Sequence, residues 1–245
     1  IMRNKIDIFL FSLKYSFFIQ NIKRLFYFFF DLFNFYYLKP KIKYPSKKIS
    51  IIGNGPSINK RSLPKNNVII CNHFWKHPHY LQINEGFHII SDSRFLQADN
   101  IKQFFNNINN KLIIVTTHHI RKKLLENKVF RPVIIPINYS SAFPIWISEK
   151  FIKKSILNKI CYTGSTVVAD IGFPLVRYLD CKLLNLYGVD LNYGKSFRRY
   201  AFNTKGLILA ENYFMETVWK KRAPKSISLW LRYLKFCNVR VKWYK

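Results

Sequence analysis

Acidic residues are scarce in this chain of 245 residues: 12 Asp and Glu stand against 41 Lys and Arg, a net charge of +29. An AT-rich genome accounts for abundant Lys, Asn, Ile, Phe and Tyr. It does not account for missing acids, whose codons are not GC-rich. The charge therefore points to polyanions: nucleic acid, anionic lipid or a phosphorylated glycan. Cysteine is also sparse. Cys71, Cys161, Cys181 and Cys237 form no CxxC pair and stand among apolar neighbours, so free thiols in a reducing compartment are expected. No uncharged run reaches the ~20 residues of a membrane-spanning helix. No small-residue cleavage site follows the first apolar stretch, so no signal peptide is expected. The chain also lacks an internal repeat, a P-loop and a full dinucleotide fingerprint.

What is present is a large apolar fraction, 49% of residues with 18% aromatic. A disordered chain lacks that much apolar surface, so a packed core is expected. The length suits one α/β domain with a short appendage. The appendage is residues 1–38, where runs such as Ile8–Phe11 and Leu25–Phe30 are interrupted by Lys14, Lys23 and Arg24. Aromatic-rich helices carrying basic residues are expected to lie in a membrane interface. A helical hairpin packed on the domain, or a dimer contact, is the structural alternative. Pro40 and Pro45 among lysines mark residues 39–48 as a basic linker.

From residue 49 the pattern changes. Short apolar runs begin at Ile49, Val68, Phe87, Leu112, Val133, Leu183 and Val239, mostly separated by polar or helical sequence. Continuous apolar strands alternating with helices indicate a mostly parallel sheet covered on both faces. The expectation is one Rossmann-like α/β domain over residues 49–245. The apolar stretch Thr166–Leu179 reads as a buried helix in which Pro174 forces a kink or a boundary.

In such a sheet, ligands bind beyond the carboxyl ends of the strands. Three loops are placed there: Gly53–Ser57, Cys71–Phe74 and Gly188–Tyr193. In Gly53-Asn54-Gly55-Pro56-Ser57 the two glycines permit a sharp turn and close backbone approach. Pro56 suits a first helical turn, whose free N–H groups attract phosphate. His73, His77 and His79 cluster, but no Cys or carboxylate at suitable spacing completes a zinc site.

Gly53-Asn54-Gly55-Pro56-Ser57 after one strand, then Cys71-Asn72-His73-Phe74 after the next, resembles the start of bacterial family 42 sialyltransferases. Thr163-Gly164-Ser165, a helix, then Leu186-Tyr187-Gly188-Val189-Asp190 resembles their second nucleotide-binding half. Ser91-Asp92-Ser93-Arg94-Phe95-Leu96 is more similar to the lipopolysaccharide-core Kdo transferases, as is the spacing from Ser165 to Gly188-Val189-Asp190-Leu191. The likeness covers roughly residues 49–205.

The resemblance implies a variant of the GT-A fold and transfer of sialic acid, or the related Kdo, from a CMP donor to a cell-surface glycan. It implies that Asn54 and Asn72 hydrogen-bond the cytidine nucleotide, against the alternative that they cap turns. It implies that Gly53, Gly55 and Ser57 shape a phosphate loop, and that Thr163, Gly164 and Ser165 lie beside the ribose or base. Tyr193 and Tyr200, in a lid over about residues 191–222, would hold the leaving phosphate. No Asp-x-Asp pair occurs, so no metal and no cofactor is expected. Family members place a His in the lid as general base; here the last histidines are His118 and His119. Asp92 is the first substitute, with Asp190 and His118 after it. Arg94 could clamp the sugar carboxylate, against the alternative of a structural ion pair with Asp92.

The expected partners are the CMP-activated donor, a lipid-linked glycan acceptor and an anionic membrane. The expected location is the cytoplasmic face of a bacterial inner membrane, held peripherally, with homo-oligomerisation left open. Two rival readings remain. A nucleic-acid-binding protein fits the charge, but the charge is dispersed and no known binding module occurs, so no specific nucleic acid is expected. A catalytically inactive, membrane-bound scaffold fits the missing lid His.

Overall fold

The structure, a computed structural model, describes residues 47–126, 134–137, 166–191 and 222–244. Its frame is a seven-stranded sheet. The strands are β1 (Lys48–Ile52), β2 (Val68–Cys71), β3 (Gly86–Ile90), β4 (Leu112–Thr117), β5 (Ile134–Ile137), β6 (Leu183–Tyr187) and β7 (Arg240–Tyr244). They coincide, to within a residue or two, with the seven apolar runs of the sequence. Their order is β5-β4-β3-β2-β1-β6-β7. Every adjacent pair is parallel, including the terminal β6–β7 pair.

Parallel strands buried on both faces need apolar side chains at successive positions. Ile49 and Ile51 of β1 face one core, with Ile69, Phe87, Ile89 and Val115 of the neighbouring strands. Ile52 faces the other, with Val68, Ile70, Ile90, Leu112 and Ile114. The first core is closed by α3 (Phe173–Tyr178) and α4 (Arg222–Phe236). Along α4 the buried residues are Ala223, Ile227, Trp230 and Leu234, a helical stripe, while Arg232 and Lys235 are exposed. The second core is closed by α1 (Ala98–Asn106), α2 (His118–Glu126) and short 3-10 turns that bury Phe74, Trp75, Tyr80 and Phe95.

The expected break at Pro174 takes a specific form. A π-helical segment, Val168–Gly172, leads directly into α3. Proline has no N–H to donate at the second position of α3, and π-turns are one way a helix accommodates such an interruption.

Residues 1–38, most of the basic linker and lid residues 192–221 lie outside the described residues. No helix of the described residues is long and apolar enough to cross a membrane.

Candidate functional site

Because all strands run parallel, their carboxyl ends form one edge of the sheet. From β1 the chain moves outward through β2, β3, β4 and β5, and it reaches the other side of β1 only with β6. The order therefore reverses between β1 and β6, where open α/β sheets form a ligand crevice. The loops after these two strands are zipped together. Gly53 N–H donates to the Tyr187 carbonyl (2.8 Å) and Gly55 N–H to the Gly188 carbonyl (2.9 Å). Ser57 N–H then donates to Asp190 Oδ2 (3.0 Å), and the Ser57 hydroxyl donates to Asp190 Oδ1. Trp243 Nε1–H donates to the Val189 carbonyl (3.2 Å), tying β7 to the same loop.

This contact explains the glycines. A Cβ on Gly53 would sit 2.4 Å from the Gly188 carbonyl oxygen, and one on Gly55 would sit 2.5 Å from Asp190 Oδ2. The zip also engages donors that the sequence placed at a phosphate. Pro56 has no N–H, Ser57 N–H is held by Asp190, and Ile58 N–H reaches the Gly55 carbonyl (3.3 Å). The segment Pro56–Lys60 is a five-residue 3-10 turn. Asn54 differs from its neighbours: its Oδ1 is buried and has no hydrogen-bond partner.

The loops after β2 and β3 form the next part of the edge. Asn72 has φ 46°, a left-handed conformation that Asn tolerates better than most residues. From there its Oδ1 accepts from Ser91 N–H (2.9 Å), Asp92 N–H (3.2 Å) and more distantly the Ser91 hydroxyl (3.5 Å). Its own carbonyl accepts from His88 Nε2 (2.7 Å). His88 points from the middle of β3 into the second core, against the edges of Tyr80 and Phe104. Burial pushes its pKa down to about 4, despite that hydrogen bond, and nearby His73 pushes the same way. The ring is therefore neutral, with Nε2 protonated and Nδ1 buried without a partner. His73 is buried as well, and its Nε2 lies 3.5 Å from Asp92 Oδ2.

The structure thus gathers Gly53, Asn54, Gly55, Ser57, Asn72, Asp92 and Asp190 along one edge. Arg94 lies in the turn Ser93–Leu96 just beyond Asp92. His118 opens α2 after β4, two strands further out than β2. Thr163, Gly164, Ser165, Tyr193 and Tyr200 lie outside the described residues. The capping alternative for Asn72 is what the contacts show: its Oδ1 caps the β3 loop. Among the described residues, no group of three or more His, Cys, Asp or Glu could hold a metal ion. His77 and His79 are instead used locally. His77 Nδ1 accepts from His79 N–H (3.1 Å), His77 Nε2 meets Asn59 Oδ1 (3.1 Å), and His79 Nε2 meets the Pro64 carbonyl (3.0 Å).

The capping role of Asn72 is open to a graded test. Asn72→Asp keeps the acceptor and should remain near wild type. Asn72→Gly keeps the backbone conformation but loses the acceptor for two N–H groups, and should cost about 1–2 kcal/mol in urea unfolding. Equal stability of the two variants would remove the cap from the account.

Two residues of this edge escaped the sequence reading. In the sequence His88 is one position of an apolar strand, and His73 belongs to the Cys71-Asn72-His73-Phe74 motif and to an incomplete zinc cluster, with no role of its own. A polar residue inside Gly-Phe-His-Ile-Ile was the available signal for His88, since a buried imidazole needs a partner.

No protein-family model matches the sequence, and no curated protein matches it. Among solved structures the chain is similar to the monofunctional alpha-2,3-sialyltransferase Cst-I of Campylobacter jejuni. The identity is 15% and the TM-score 0.48, over 82% of this chain and 77% of that one. At that depth the likeness carries no argument about activity.

Proposed function

We propose that the edge between β1, β2, β3 and β6 is the donor site of a glycosyltransferase that takes a sialic acid or Kdo-type sugar from its CMP form. The observation that carries this reading is the unpaired, buried Oδ1 of Asn54 in the loop at the point where strand order reverses. Buried polar atoms are nearly always satisfied, and an orphan at a strand-end crevice is what a ligand donor would complete. An exocyclic amine or a ribose hydroxyl of a nucleotide supplies such a donor. The motif resemblance selects cytidine among nucleotides.

Asp190 and Asp92 are then unequal candidates for the base. Both Asp190 oxygens receive hydrogen bonds from Ser57, which makes this carboxylate a brace for the β1 loop. Asp92 lies at the mouth of the β3 loop beside the buried His73. We assign it the proton of the acceptor hydroxyl, and assign Arg94, close by in sequence, to the sugar carboxylate. Tyr193 and Tyr200 would neutralise the departing phosphate without a metal or cofactor. The surplus of basic residues suits a phosphorylated, lipid-linked glycan at the cytoplasmic face of an anionic membrane.

Calorimetric titration with CMP in EDTA, with UDP and GDP as controls, tests the assignment. Saturable binding of CMP alone is expected. Asn54→Ala should weaken it roughly tenfold, the loss of about 1.4 kcal/mol that one ligand hydrogen bond represents. Absence of CMP binding by folded protein would end the donor-site reading. Salt-sensitive binding to oligonucleotides in its place would favour a nucleic-acid function.

A further inference from the structure

His73 is a residue for which the fold alone gives no use. It is 2% exposed, it directly follows the capping residue Asn72, and neither ring nitrogen makes a hydrogen bond. An imidazole with two unsatisfied nitrogens in a core is unfavourable, and an apolar side chain of similar size would avoid that cost. Its Nε2 nevertheless lies 3.5 Å from Oδ2 of Asp92, a carboxylate 12% exposed at the sheet edge. That separation is slightly too long for a good hydrogen bond. Catalytic hydrogen bonds are often long before substrate binds and tighten in the complex. The backbone already places the pair: Asn72 Oδ1 holds the N–H groups of Ser91 and Asp92, so the β3 loop is fixed relative to the turn that carries His73.

We infer that His73 is a positioning residue for Asp92, donating from Nε2 to Oδ2 and holding the carboxylate towards the acceptor. The inference rests on the proposed transfer reaction and assigns that site its second member. The acceptor oxygen forms the new bond to the sugar and gives its proton to Asp92. The bond between sugar and phosphate breaks, and its electron pair leaves with CMP. His73 keeps its own proton throughout. The charged and titratable groups placed around the ring by the structure are Asp92 on the β3 loop and His88 on β3. His88 already directs its Nε2 proton to the Asn72 carbonyl. Of the two histidines, His73 is therefore the one placed to donate to Asp92.

Two measurements on the full chain decide the matter. The first is the tautomer of His73, read from histidine ¹⁵N correlation spectra and assigned by loss of the signal in His73→Gln. The Nε2–H form is expected, with its resonance shifted in Asp92→Asn. An Nδ1–H form, or no response to Asp92→Asn, overturns the dyad whether or not the protein binds CMP. The second is turnover of CMP-sialic acid and CMP-Kdo with water as acceptor. His73→Gln is expected to lower kcat about tenfold and Asp92→Asn about a hundredfold, with the donor KM changed less than twofold (each tenfold being about 1.4 kcal/mol). The double variant should be no slower than Asp92→Asn alone, because His73 acts only through that carboxylate. Additive losses, or a fall in affinity with kcat preserved, would show a merely structural His73. If wild-type protein binds no CMP but shows the expected tautomer response, the donor-site reading fails and the dyad stands.

Discussion

Gly188→Ala should lower the unfolding free energy by roughly 2–5 kcal/mol and abolish CMP binding in whatever folded protein remains. Gly188 has φ +61°, a left-handed conformation that costs a non-glycine residue roughly 1–2 kcal/mol. A Cβ there would lie 2.5 Å from Ile58 Cγ2 and 2.8 Å from the Gly53 carbonyl oxygen, inside any acceptable contact. Ile58 could shift only by disturbing the second core, in which it is buried, and overpacking of that kind costs about 1–3 kcal/mol. The effect on the site is separate from the effect on stability. Moving Gly188 away from Gly53 parts the zip between the β1 and β6 loops, and with it the position of Asn54. Gly172→Ala is the control. Its Cβ would meet Ile51 Cδ1 at 3.3 Å and otherwise only the Val167 carbonyl oxygen at 3.8 Å. That variant should lose far less. Urea midpoints for the pair, with CMP titrations beside them, test both parts. A wild-type midpoint in Gly188→Ala would show that the turn does not require glycine.

The second large effect is acid lability through His88. An unfolded histidine titrates near 6.5, whereas burial holds His88 down to about 4 in the fold. Above pH 6.5 the residue is neutral in both states and stability does not depend on it. Between 6.5 and about 4 the unfolded chain takes up a proton that the folded chain refuses, so stability falls as pH falls. Over that window the loss reaches about 3 kcal/mol, at 1.36 kcal/mol per unit, and it levels off below pH 4. The groups around the ring cannot relieve it. They are the Asn72 carbonyl, the rings of Tyr80 and Phe104, and His73, whose proximity also disfavours a charge on His88. His88→Gln, which keeps a donor for the Asn72 carbonyl, should flatten the pH dependence between 6.5 and 4. An unchanged slope in that variant would assign the acid response to other groups.

Much of the framework was legible before folding. Strands buried on both faces of a parallel sheet need consecutive apolar residues, so runs such as Ile49–Ile52 and Leu183–Tyr187 announced themselves. Pro174 marked a break because its missing N–H is a property of the residue and not of its surroundings. The strand-end loops were legible for the same reason: Gly-Asn-Gly-Pro-Ser and Gly-Val-Asp are local patterns that follow apolar runs.

The partners of those loops were not local. The interval between Ser57 and Asp190 spans most of the domain, and nothing in either segment tells that Asp190 would receive both the N–H and the hydroxyl of Ser57. Nor does composition tell that Gly53 and Gly55 are small because Gly188 and Asp190 press against them. The sequence by itself determined the number and kind of strands, the alternation that buries them, and which short loops end them, since each depends on residues a few positions apart. The tertiary structure alone decided which loops meet, that Asp190 braces while Asp92 faces His73, and that Asn54 keeps a buried atom unpaired. Those outcomes follow from strand order, which places β6 beside β1, and strand order depends on packing across the whole chain.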